Sequence, residues 1–329
     1  MTSLADFQFE LPDELIAQTP AHPRDSARLL VYDRATMSIT DAIFRDLEKF
    51  LNPETTLVLN KAKVDKSRMQ FGKLEVFVLE AYNDKVIKAM VRPGKKFKMD
   101  TIVDLGEGIT AKVLDIDHNG HRNIEFNISM DDERFEKHKL TPLPPYIEQD
   151  ESLAEEYQTV YAKDPGSKAA PTAGLHFTDE LLDQIRSKHD IAEVTLNVGL
   201  GTFAPISEVD IKYKKLHEET YSIDTSTAQK LNSAKHLTAV GTTSARVLES
   251  AIQNSSYSTV ENGSTDIFIQ PGDELQAVDS IITNFHLPST SLLMLISAFT
   301  GRDELMRIYE HAIKERYRVY SFGDAMLVV

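Results

Sequence analysis

The 329-residue chain has no cysteine. That excludes a disulfide framework, a thiolate metal site and a thiol nucleophile, and it fits a reducing compartment. Long apolar runs are missing too. The most apolar stretch, LLMLISAF at 292–299, falls far short of the roughly 20 residues needed to span a bilayer. The N-terminus, MTSLADFQFELPDEL, carries acids where a secretory signal would carry a basic end and an apolar stretch. Internal repeats and low-complexity segments are absent. So are a Walker motif, a G-x-S-x-G elbow and any metal-ligand spacing, so no metal is expected. These absences predict a soluble, cytoplasmic protein with no membrane partner.

What is present is ordinary in amount and uneven in distribution. With 41% hydrophobic and 26% charged residues, the chain can build real cores, and its length suggests about two domains. A net charge of −15 argues against a nucleic-acid partner for the chain taken whole. Between Lys61 and Lys98, however, eleven Lys/Arg face four Asp/Glu, a local +7 that leaves −22 for the remainder. Such asymmetry marks either a polyanion-binding face or a solvated, alternating β surface.

The texture changes twice. From about Lys61 to Pro142 the runs LEVFVLEAY, KVIKAMV, ITAKVLDID and RNIEFNIS alternate with period two, broken by Asn83-Asp84, Pro93-Gly94, Gly106–Gly108 and Asn119-Gly120. This predicts a small antiparallel sheet or barrel. After PLPPY at 142–146 the pattern becomes α/β. Thr178 followed by Asp179 and Glu180 predicts a capped helix over DELLDQIRSK. Strands are expected at 191–198, 237–240 and 280–283, and a helix at 243–252. ELMRIYEHAIKER (304–316) predicts a helix with a stripe of Leu305, Ile308, Tyr309 and Ile313. ARLLVYD and TTLVLN, upstream, read as further strands. The expected fold class is α/β: a large mixed α/β domain (1–60 plus 146–329) with an inserted small antiparallel β-barrel domain (61–145).

Several turns after apolar strands carry candidate site residues. VTLNVGLGTFAPI (194–206) contains Gly199, Gly201, Thr202 and Ala204 in a G-x-G-x-x-A pattern, with Glu218 and Glu219 about 20 residues on. That spelling fits a dinucleotide fingerprint, but the following ISEVDIKYKK lacks a helical apolar stripe. A glycine-permitted turn, or one letting another ligand approach the backbone, fits equally. In LHEETY, His217 and Glu219 alternate, so on an extended segment they share one side. They form an acid/base pair or a solvated charged segment. GSKAAPTAGLHFT (166–178) is rich in small residues and presents Thr172, Gly174 and His176. Gly241-Thr242-Thr243-Ser244 offers free N–H groups to an anion at a helix start. Asn284 and His286 sit at another strand exit. In open α/β sheets ligands bind at such exits.

Read together, GSKAAPTAGLHFT, VTLNVGLGTFAPI, HEETYSI, AVGTTSARVLES, TDIFIQPGDEL, ITNFHLPSTSLLML and YRVYSFGDAML, with FELPDELIAQTP, PRDSARLLVYDR, PLPPYI and EYQTVYAKDPGS upstream, resemble the S-adenosylmethionine:tRNA ribosyltransferase-isomerase family of queuosine biosynthesis. The resemblance covers essentially the whole chain. It implies a monomeric bacterial cytoplasmic transferase that moves and isomerises the ribosyl part of S-adenosylmethionine onto 7-aminomethyl-7-deazaguanine at the tRNA anticodon. The products would be epoxyqueuosine-tRNA, adenine and methionine, so S-adenosylmethionine is a consumed substrate. The chemistry needs a proton taken from the carbon beside the sulfonium and acid help for adenine departure. His176, His217 and Glu219 are the catalytic candidates. Substrate binding would fall to Thr172, Gly174, Asn197, Gly199, Gly201, Thr202, Asn284 and His286, with Thr242 and Thr243 for the methionine carboxylate and Asp324 for ribose hydroxyls or the sulfonium side. Lys61, Lys63 and Arg68 would contact tRNA.

The chain departs from the family pattern in places. Asn197 stands where a histidine is usual and cannot exchange a proton near neutral pH. Lys63 replaces an arginine, keeping charge but losing the planar fork. Ala62 differs in the same motif, and Glu148 and Gln149 follow PPYI where a basic residue is usual. A paralogue of the same fold with another acceptor, or a non-catalytic binding protein, is the alternative.

Overall fold

The structure, a computed structural model, describes residues 3–148, 150–199 and 206–329. Two compact units are present. One takes Met1–Lys63, Pro145–Glu148 and Glu155–Val329; the other takes Val64–Pro144 and Gln149–Ala154.

The large unit is built on a mixed sheet of nine strands, in the order Val260–Ile267, Lys215–Ile223, Asp190–Asn197, Thr55–Asn60, His236–Val240, Ser280–Asn284, Ala325–Val328, Arg28–Asp33 and Ser38–Ile43. Four adjacent strands, from Asp190–Asn197 to Ser280–Asn284, run parallel. Antiparallel neighbours flank them on both sides. Thr55–Asn60 and Ser280–Asn284 are buried at every position, as strands covered on both faces must be. Successive side chains point to opposite faces. Val58 therefore joins Leu248, Phe285 and Leu293 in one core, while Leu57 and Leu59 join Phe177, Leu182 and Ile185 in the other.

The expected helices form close to their expected bounds. Thr178 Oγ1 accepts from the Leu181 N–H at 3.2 Å and caps Asp179–Arg186. Thr242–Ala251 starts after Gly241, whose φ of 87° lies where a side chain would be strained. Arg302–Lys314 buries Leu305, Ile308, Tyr309 and Ala312. Ile313, at the edge of the expected stripe, is only partly buried. ISEVDIKYKK does hold a helix, Glu208–Tyr213. Its origin is local: Ser207 and Asp210 form a capping box, and Ile211 is its one buried residue.

The small unit is antiparallel. Its seven strands run in the order Lys139–Leu140, Arg68–Phe71, Leu74–Ala81, Val86–Arg92, Arg122–Phe126, Ile109–Ile116 and Ile102–Gly106. Val76, Ile87, Ala111, Val113 and Ile124 alternate into its core against Phe97, Phe126 and Phe135. Among the described residues, no helix is long and apolar enough to cross a membrane.

Candidate active site

All four parallel strands of the large unit end on one edge of the sheet. The exits bring Val198, Gly241–Thr243 and Thr283–His286 around one cavity of about 770 Å³, its open mouth included. This is where an open α/β sheet places a ligand. The small-residue loop contributes Ala169 to Ala173, because only short side chains leave room there. Glu219 comes from the antiparallel neighbour strand and Arg246 from the helix Thr242–Ala251. Tyr146, Tyr157 and Tyr320 make an aromatic side. The Tyr146 and Tyr320 rings meet edge to face at 3.8 Å between centroids, and the Tyr146 hydroxyl hydrogen-bonds Ser321 Oγ.

Six of the sequence-derived candidates line this cavity: Thr172, Glu219, Thr242, Thr243, Asn284 and His286. Unpaired buried atoms concentrate there. Thr243 Oγ1, Arg246 Nε and Nη2, Asn284 Oδ1 and His286 Nδ1 have no hydrogen-bond partner among the described residues. Buried polar atoms in native proteins are almost always paired, so such a cluster indicates a polar ligand or water. His286 Nε2 lies 3.3 Å from Thr283 Oγ1. Burial pushes the His286 pKa down to about 3, so the imidazole is neutral at pH 7.

Other described candidates do not line the cavity. His176 is buried against Phe44, with Nε2 3.3 Å from the Asn284 amide nitrogen. Burial first, then the positive charges of Arg318 and Arg24, push its pKa down to about 3. Gly174 is a close-approach position: a Cβ there would lie 1.9 Å from the Tyr161 hydroxyl and 2.8 Å from Thr159 Cγ2. Asn197 reaches toward Thr220 Oγ1 at 3.4 Å and packs against Gly166. The Gly199 N–H donates to Glu219 Oε1 at 3.2 Å. Gly201 and Thr202 lie outside the described residues.

Asp324 and His217 are placed elsewhere than the resemblance implied. The Asp324 carboxylate accepts the backbone N–H groups of Arg28 (3.0 Å) and Arg318 (2.8 Å), and the Arg318 guanidinium is 3.6 Å away. It ties chain segments together and does not line the cavity. His217 and Glu219 do alternate on the strand Lys215–Ile223, yet His217 is exposed and Glu219 buried. The pairing with Val260–Ile267 shifts register between Lys215 and Glu219, so the two are not presented to the cavity together.

Glu219 instead pairs with Arg246, both almost wholly buried (3% and 7% exposed side chains). Arg246 escaped the sequence reading, as did the three tyrosines. A helical arginine reads as a solvated face; the available signal was its i+4 spacing from Thr242.

The three tRNA candidates differ in availability. Lys61 Nζ lies 3.5 Å from Asp164 and 3.7 Å from Asp224. Arg68 pairs with Glu75 at 2.7 Å. Lys63 is exposed. The small unit also exposes Arg92, Lys95, Lys96 and Lys98. Among the described residues no group of acidic or histidine side chains could hold a metal ion.

A cleft at the ends of parallel strands, lined by a neutral imidazole and a buried ion pair, is the arrangement in which α/β enzymes bind small molecules. The chain belongs to the queuosine biosynthesis protein family, whose model matches residues 4–328. It is 44% identical to the S-adenosylmethionine:tRNA ribosyltransferase-isomerase of Clostridioides difficile, over 98% of both chains. It is 45% identical to the protein of that name from Thermosipho africanus, over 99% of both. The crystal structure of S-adenosylmethionine tRNA ribosyltransferase from Thermotoga maritima superposes with a TM-score of 0.56 at 36% identity, covering 98% of this chain and 100% of that one.

Proposed function

We propose that the protein is an S-adenosylmethionine:tRNA ribosyltransferase-isomerase. It transfers and isomerises the ribosyl group of S-adenosylmethionine onto 7-aminomethyl-7-deazaguanine in tRNA, giving epoxyqueuosine-tRNA, adenine and methionine. The carrying observation is identity above 40% to enzymes of that name over nearly the entire chain. No observation favours another acceptor. The cavity supports the reading with its tyrosine side, on which an adenine ring can stack, and its neutral imidazole.

In this reading His286 contacts the substrate. Its Nδ1, without a partner among the described residues, lies in the cavity wall, where a neutral ring offers a hydrogen bond to a polar substrate group. Asn284 and Thr172 hold polar substrate groups. His176 acts through Asn284 as a positioning residue. The tRNA backbone is met by exposed cations, Lys63 and those of the small unit, with S-adenosylmethionine consumed and no metal required. The enzyme works as a cytoplasmic monomer.

The test is incubation with S-adenosylmethionine and precursor-modified tRNA, following adenine release and the nucleoside mass. Adenine and epoxyqueuosine in equal amounts are expected. Neither product would overturn the assignment, and adenine alone would point to a different acceptor.

A further inference from the structure

We propose that the buried Arg246–Glu219 pair receives the amino-acid end of S-adenosylmethionine, with Arg246 taking the α-carboxylate and Glu219 facing the α-ammonium. The inference rests on the ribosyltransferase reading above and assigns Arg246 as a specificity-determining residue.

Arg246 Nη1 donates to Glu219 Oε2, while Nε and Nη2 have no partner among the described residues. Those two nitrogens form one edge of the planar guanidinium. Two parallel N–H donors along that edge match the two oxygens of a carboxylate. The side chain is 7% exposed and lines the cavity, so the unused donors are buried donors at a site.

The helix start adds a second, independent attraction for an anion. Thr242–Ala251 begins at the cavity, and among the described residues no side chain is seen to cap its first turn, its N-cap being Gly241. Its leading N–H groups and positive dipole end are therefore open to a negative group. Thr243 Oγ1, one residue into the helix, is also unpaired.

Charge decides which anion. Arg246 and Glu219 already cancel, so a phosphate would leave excess negative charge in a buried place beside a carboxylate. A zwitterion leaves the balance unchanged: its carboxylate extends the row at Arg246 and its ammonium sits next to Glu219. The methionine end of S-adenosylmethionine is such a zwitterion. Glu219 also accepts from the Gly199 N–H, which fixes its carboxylate relative to the strand exit.

The test measures affinities for S-adenosylmethionine, its decarboxylated analogue and 5′-methylthioadenosine by calorimetry. Wild type is expected to prefer S-adenosylmethionine over the decarboxylated analogue by about 100-fold, the scale of a bidentate charge-assisted contact. Arg246→Gln should shrink that preference to about 5-fold or less, and leave methylthioadenosine binding within roughly threefold. Arg246→Lys keeps a cation beside Glu219, so the fold is preserved, and should fall between the two. An unchanged preference in both variants, or an equal loss for all three ligands, overturns the proposal. Wild-type protein that binds none of the ligands and releases no adenine overturns the functional reading itself, and this inference with it.

Discussion

The amide nitrogen of Asn284 lies 3.3 Å from His176 Nε2 and 2.9 Å from the carbonyl oxygen of Tyr320. One side chain thus joins a histidine that does not line the cavity to the segment that carries an aromatic lining residue. Asn284→Ala is expected to leave the Tyr320 carbonyl without this donor and cost about 1–3 kcal/mol of stability. Denaturant unfolding measures that, and the KM for S-adenosylmethionine should rise in parallel. Unaltered stability and KM would show that the link does not position the site.

The two buried histidines should separate kinetically. His286→Asn removes the ring at the cavity, and turnover should fall by roughly 10–100-fold, the scale of one lost buried hydrogen bond to substrate. His176→Gln keeps a hydrogen-bonding group beside Asn284, so its loss should be smaller and appear mainly in KM. Single-turnover adenine release reads both. The reverse order would exchange their roles.

Acid should destabilise the fold before carboxylates matter. His176 and His286 have folded pKa values of about 3 against 6.5 for the free group. Between those values the unfolded chain binds more protons, so stability rises with pH. Their contribution is complete above about pH 6.5 and is lost as pH falls toward 3. Unfolding at pH 5 should be easier than at pH 7.5 by about 2 kcal/mol per histidine. The His176→Gln/His286→Gln variant should flatten this slope. A slope unchanged by both substitutions would assign the acid sensitivity to other groups.

Gly174 is required by space. Gly174→Ala drives a methyl into the Tyr161 hydroxyl, an overpacking expected to cost about 1–3 kcal/mol or more. Among the described residues Tyr161 has no hydrogen-bond partner for its buried hydroxyl, so Tyr161→Phe alone should be near neutral. Combined with Gly174→Ala it should recover part of the loss, since Thr159 still crowds the position. Thermal unfolding of the four proteins gives the coupling. Strict additivity would contradict the contact.

On the tRNA side, exposed charge should matter more than charge already paired. Replacing Arg92, Lys95 or Lys96 by Ala should reduce the salt slope of tRNA affinity by about 0.7–0.9 per lost phosphate contact. Lys61→Ala, whose charge is opposed by Asp164 and Asp224, should barely change it. Filter binding at several salt concentrations decides. A large change confined to Lys61 would move the phosphate-reading surface.

The sequence alone determined the elements and their chemistry. Apolar runs such as TTLVLN became buried central strands, and Thr178 capped its helix, because periodicity and capping act over a few residues. The turns after Val240 and Thr283, expected from the sequence as strand exits, line the cavity. Alternation led to the expectation that His217 and Glu219 share one side of an extended segment, yet the pairing shifts register between Lys215 and Glu219 and only Glu219 is buried. Alternation could not show which of them is buried, because that depends on the register with a strand some forty residues on. Only the tertiary structure decided that Glu219 is buried with Arg246 and His217 exposed. Only it showed that Asp324 is held by backbone N–H groups, that His176 lies beside Asn284, and that Gly174 faces Tyr161. Each of these depends on contacts between residues distant in sequence, which local pattern does not encode.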